Sequence, residues 1–86
     1  MPSAMRIKIL RKDIEAYIDR SFLRKKLDKA QKFFEINISH PSLHTEILEP
    51  RWRGIYSFRL DKKYRALFFI ADGEAEVFAI TNHYKK

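Results

Sequence analysis

From Ile14 onward the apolar residues recur three and four positions apart: Ile14, Tyr17 and Ile18, then Leu23, Leu27, Ala30, Phe33 and Phe34. That spacing places them on one face of amphipathic helices. A break near Asp19–Ser21 predicts a helical hairpin in preference to one bent helix, with Asp13 and Ser21 as the expected N-caps. Arg24, Lys25, Lys26, Lys29 and Lys32 lie on or beside the wet face of the second helix. Upstream, Arg6–Leu10 alternates as a short strand would, with Ile7 and one of Ile9 and Leu10 inward. Residues 1–4 carry no pattern and read as a flexible leader.

After Gly54 the period changes. Ile55–Leu60, Tyr64–Ala71 and Ala75–Ile80 are aromatic or β-branched runs, and such runs predict strands. Asp61-Lys62-Lys63 and Asp72-Gly73 separate them, the second pair being a strong two-residue hairpin signal. Residues 39–53 contain two prolines and little periodicity, and are expected to form a long loop. The predicted architecture is α+β in the order β-α-α-β-β-β. A helical hairpin packs on one face of an antiparallel sheet, and residues 1–86 form one domain.

If Asp61–Lys63 is the loop, Leu60 pairs with Tyr64 and Arg59 with Arg65. Paired residues share a face. Tyr56, Phe58, Ala66 and Phe68 then face the helices, while both arginines stand on the open face with Leu67 and Phe69. Like charges placed opposite each other repel, and an anion between them would relieve that. Arginine's planar fork suits a phosphate. Alternatively, both side chains splay into water and cover apolar neighbours with their stems. The next hairpin sets Ile80 beside Arg65, so the chain carries His83 and Tyr84 past the arginine end of the sheet. Histidine, with an ordinary pKa of ~6.5, exchanges protons near neutrality. Tyrosine can stack on a base or donate to a phosphate. Cleavage of RNA by its own 2′-hydroxyl needs a base, cations for the phosphorane and an acid for the leaving 5′-oxygen. Glu46 and Glu49 are candidate bases, or else solvated loop carboxylates.

Composition narrows the classes further. The absence of cysteine excludes disulfides, thiolate metal sites and a cysteine nucleophile. The longest apolar run, Ala66–Ala71, is far too short to span a bilayer. A cytoplasmic location without membrane attachment is expected, as are no cofactor and no metal. Eighteen Lys and Arg against eleven Asp and Glu give a net charge of +7, which points to polyanionic partners such as RNA, DNA or the ribosome. Arg51, Arg53, Arg59, Lys62 and Lys63 are the candidate RNA-binding cations.

"SLHTEIL", "RGIYSFRLDKKYRALFFI" and the closing "NHY" together resemble the RelE/ParE superfamily of toxins from bacterial type II toxin–antitoxin pairs. The resemblance runs from Arg6 to Tyr84, and the closing His-Tyr pair is most similar to the YoeB/Txe branch. It implies an endoribonuclease that cuts mRNA in the ribosomal A site and an antitoxin that wraps the toxin and blocks the site. A homodimer and a hetero-oligomer with the antitoxin are both compatible with it. It also implies Glu46 as general base, Arg65 as the phosphate-stabilising arginine with Arg59 as its companion, His83 as acid and Tyr84 as a base contact. Two features depart from the branch: Lys85 and Lys86 follow the His-Tyr pair, and Ile47 replaces the proline after the glutamate. Two other functions remain open, a ParE-like gyrase inhibitor on the same fold and a noncatalytic RNA- or ribosome-binding module using the basic face of the second helix.

Overall fold

The computed structural model describes residues 4–82. Two helices, α1 (Lys12–Arg20) and α2 (Arg24–Ile36), precede a sheet of β1 (Glu46–Ile47), β2 (Tyr56–Arg59), β3 (Arg65–Ala71) and β4 (Glu74–Thr81). The strands lie in the order β1-β2-β3-β4, each pair antiparallel. The chain is therefore a small α+β domain with two helices and a four-stranded antiparallel sheet. Three residues of the expected leader, 1–3, lie outside the described residues.

The helical hairpin is real, and its corner has a specific construction. Leu23 N–H donates to the Ile18 carbonyl at 2.9 Å, and Phe22 N–H donates to that of Asp19 at 3.2 Å. With Phe22 at φ 58°, this is a Schellman closure, in which a left-handed residue ends the helix. Its customary apolar contact is supplied by Ile18 and Leu23, both buried. Ser21 thus closes α1 instead of capping α2, and Asp13 sits in the first turn of α1, one residue inside its start. The Asp13 carboxylate is bound by Arg11 at 2.8 and 3.0 Å.

Residues 6–10 do not form a strand. Only Ile7 bridges to the sheet, parallel to β4 at Ala75, through Lys8 N–H to Ala75 O and Ala75 N–H to Arg6 O, each 2.9 Å. The Ile7 N–H faces away and is taken by Glu35 Oε2 at 3.2 Å, and the chain must then turn into α1 at Lys12. Leu10 packs against the core while Ile9 is exposed. The fourth strand is instead Glu46–Ile47, inside the segment expected to be loop.

Alternation works as predicted across β2 and β3. Tyr56 pairs with Phe68, Phe58 with Ala66 and Arg59 with Arg65. Phe34 of α2 meets the rings of Phe58 and Phe68, each at 5.2 Å, so the helix covers that face. The Asp72-Gly73 turn has both residues left-handed, at φ 55° and 76°, as a type I′ hairpin requires. In β4 a bulge intervenes: Leu67 pairs with Ala79 but Phe68 with Val77, leaving Phe78 as the extra residue. The Phe78 carbonyl accepts from Arg11 at 3.4 Å. Beyond the bulge Thr81, and not Ile80, stands opposite Arg65, and Ile80 turns to the core face.

Candidate active site

The open face of the sheet is organised around Arg65. Its Nε donates to Ser57 Oγ at 2.9 Å, and its Nη2 donates to the His44 carbonyl at 2.6 Å and to the Ser57 carbonyl at 3.5 Å. Ser57 lies on β2 opposite Leu67, which makes it the diagonal neighbour of Arg65 on the same face. The arginine stem therefore crosses β2 and delivers the guanidinium to β1. There Glu46, paired with Ser57, brings Oε2 to 3.7 Å from Nη2. The Arg65 side chain is only 20 % exposed against 62 % for Glu46. One group is held and the other is open to solvent. Glu46, Leu48, Ser57, Arg65, Leu67 and Thr81 line an open depression of about 370 Å³.

Burial pushes the Arg65 guanidinium down from its ordinary value; Glu46 opposes this and Arg59 adds to it. Arginine nonetheless remains charged in a protein. Carbonyl and hydroxyl acceptors orient this partly desolvated cation without neutralising it, and Glu46 at 3.7 Å is its counter-charge.

The two arginines are register partners, yet their side chains part. Arg59 Nε reaches the Asp61 carbonyl at 3.4 Å, and Arg59 lines a separate groove of about 200 Å³ with Lys26, Lys29, Phe33 and Leu43. Divergence onto different acceptors separates the pair, although the charge of Arg59 is still felt at Arg65. The two guanidiniums do not converge on a shared point: Arg65 lines the depression and Arg59 the separate groove. Glu49 also separates from the site, exposed in the β1–β2 connection with its carbonyl accepting from Arg53 at 3.1 Å. Of the two candidate bases only Glu46 reaches Arg65.

The remaining cations lie in the two connections that flank β2. Arg51 and Arg53 lie on a 3-10 turn, Arg51–Arg53, at one end of the β1–β2 hairpin, and Lys62 and Lys63 lie in the turn between β2 and β3. All four are exposed. His83, Tyr84, Lys85 and Lys86 lie outside the described residues; β4 ends at Thr81, opposite Arg65. Among the described residues, no group of three or more His, Asp or Glu is placed to share a metal ion, and no helix is long and apolar enough to cross a membrane.

Sequence reasoning missed Ser57 and His44. Alternation did put Ser57 on the arginine face, which was the available signal. His44 contributes a backbone carbonyl from a left-handed conformation at φ 45°, and no side-chain pattern announces that. No family model matches the chain, and no curated protein matches it either.

Proposed function

We propose that this chain is a RelE/ParE-type toxin, nearest in kind to the YoeB/Txe branch, that cleaves mRNA on the ribosome in the cytoplasm. The observation that carries the reading is the Glu46–Arg65 pair, 3.7 Å apart in an open depression. A carboxylate and a fixed guanidinium at this separation suit the two halves of one step. Glu46 takes the proton from the 2′-hydroxyl as that oxygen attacks phosphorus, and Arg65 stabilises the charge that grows on the phosphorane oxygens. The 5′-oxygen leaves as the P–O5′ bond breaks, and His83, two residues beyond the Thr81 partner of Arg65, returns a proton to it. The products are a 2′,3′-cyclic phosphate and a 5′-hydroxyl, so the net reaction requires neither oxidant nor cofactor.

The +7 chain would approach the ribosome electrostatically, with Arg51, Arg53, Arg59, Lys62 and Lys63 on phosphates. Leu67, Phe69 and Phe78 leave an apolar strip on the open face; the Phe69 and Phe78 rings lie 5.8 Å apart. An acidic amphipathic antitoxin segment laid there would cover the strip and pair with the cations. Mapping mRNA ends after brief induction tests the reading. Codon-phased cuts in polysomal mRNA are expected. Loss of plasmid supercoiling without such cuts would assign the fold to gyrase inhibition, and neither effect would leave a noncatalytic binding module.

A further inference from the structure

The β1–β2 connection displays the chain's single tryptophan to solvent. Trp52 is 85 % exposed between two exposed arginines, Arg51 and Arg53. Large aromatic rings seldom remain bare in a small domain whose core is short of apolar material. Nor is this a loose loop. Leu48 N–H closes its base on the Ile55 carbonyl at 2.7 Å, and Arg53 N–H and Gly54 N–H donate to Pro50 and Arg51 carbonyls at 3.1 Å. The Arg53 side chain is tied to the Glu49 carbonyl. Gly54 exits the turn at φ 67°, where a side chain would be strained. The backbone is built to hold an indole outward.

We infer that Trp52 is a nucleobase-stacking platform, with Arg51 and Arg53 neutralising the adjoining phosphates of a single strand. For its ligand class this rests on the nucleic-acid reading of the Arg65 depression. The geometry links the two places: Leu48 lines that depression and begins the connection that carries Trp52. Six positions separate Trp52 from Glu46, which bounds their Cα separation at roughly 20 Å even for a fully extended chain. A strand seated over Glu46 and Arg65 would thus lay its neighbouring nucleotides toward the indole. An aromatic face flanked by cations suits this ligand because every base has a π-face and every nucleotide a phosphate. An acidic peptide would find the cations but has no recurrent planar group for the ring.

The lone tryptophan makes the test direct, since its emission reports on position 52 only. The probe is a 2′-O-methyl oligoadenylate of about eight nucleotides, which cannot undergo 2′-hydroxyl attack. Inorganic polyphosphate serves as the control without bases. Emission should be quenched by the oligonucleotide and left nearly unchanged by polyphosphate. Trp52→Ala should weaken oligonucleotide affinity by about ten- to a hundredfold, and Trp52→Phe should restore most of it. Replacing both arginines with glutamine should lower the log–log salt slope by roughly one to two while quenching at saturation persists. Quenching in a protein that never cuts mRNA would uphold the platform and sink the nuclease. Cutting with an unquenched indole would do the reverse. Equal responses to the two probes, or unchanged affinity in Trp52→Ala, overturn the inference. An indole that responds only to a co-purified partner protein also overturns it, and makes the ring a protein contact.

Discussion

Arg65 Nε and Ser57 Oγ meet at 2.9 Å across two strands, and Ser57 is the one buried polar residue among those described. The hydroxyl fixes the arginine's aim. Arg65→Ala should therefore slow cleavage by about 10²–10³-fold, and it should also cost stability on the order of 1 kcal/mol, because it strands the Ser57 hydroxyl. An arginine standing free on an open face would have no such second effect. Arg65→Lys should recover little, since an ammonium cannot span Ser57 and His44 together. Wild-type toxicity in Arg65→Ala would remove this residue from the chemistry.

Ser57→Ala should behave differently. It removes a positioning contact, so the turnover step should drop by roughly tenfold while ribosome affinity holds, and Ser57→Thr should restore part of the rate. A loss confined to affinity would argue that Ser57 only supports the sheet.

Assigning Glu46 as base and His83 as acid predicts a bell-shaped pH profile for the cleavage step. Protonating the base removes activity on the acid side, so Glu46→Gln should flatten that limb. Deprotonating the acid removes it on the alkaline side, so His83→Gln should flatten the other. Each variant should lose about 10²–10⁴-fold at its optimum. Single-turnover rates on stalled ribosomes supply the profile, and 5′-phosphate product ends would refute the mechanism outright.

The β2–β3 turn carries a separate pH signature. Burial alone would raise the Asp61 carboxyl, but hydrogen bonds from Lys26 and from the Tyr64 and Lys63 amides outweigh it and hold the group below its usual range. A depressed folded value contributes stability above the unfolded value, ~3.9, which is lost as pH falls through the folded one. Asp61→Asn should thus be less stable near neutrality and lose less between roughly pH 4 and 2. Urea unfolding at several pH values gives the comparison; parallel curves for the two proteins would contradict it.

Phe22 offers a test of the helical corner. It is 90 % exposed and sits at φ 58°, where an L-residue is penalised by about 1–2 kcal/mol. Phe22→Gly relieves that but adds about 0.4–1 kcal/mol of unfolded-state entropy. A net gain of about 0.5–1 kcal/mol should raise Tm by a few degrees. A lower Tm would show that the ring makes a contact worth more than the strain.

Legibility from sequence followed turn chemistry. Asp72-Gly73 and the Asp61–Lys63 loop have lengths and residue types that dictate register, so the Arg59–Arg65 pairing and the covered face of Phe58 and Phe68 could be read directly. Glu46–Ile47 could not, since two residues have no period. Their strand exists because β2 offers an edge, a tertiary fact. Arg6–Leu10 falls short of a strand for the converse reason: alternation over five residues is common, and the approach to α1 allows only one bridge, at Ile7, which is buried as expected. Glu46 was found as a residue type suited to the chemistry. Its approach to Arg65 depends on the reach of that side chain over Ser57, which no spacing encodes.

The bulge at Phe78 has a consequence for what the arginine meets. An extra residue in a strand inverts the parity of everything after it, so that odd and even positions exchange faces. Without that inversion Ile80 would stand opposite Arg65, a branched hydrocarbon against a half-desolvated cation, and Thr81 would be driven toward the helices. With it, the hydrocarbon is sent inward and a hydroxyl-bearing side chain lines the depression. One surplus phenylalanine thereby sorts wet from dry at the end of β4, several residues from where it is inserted.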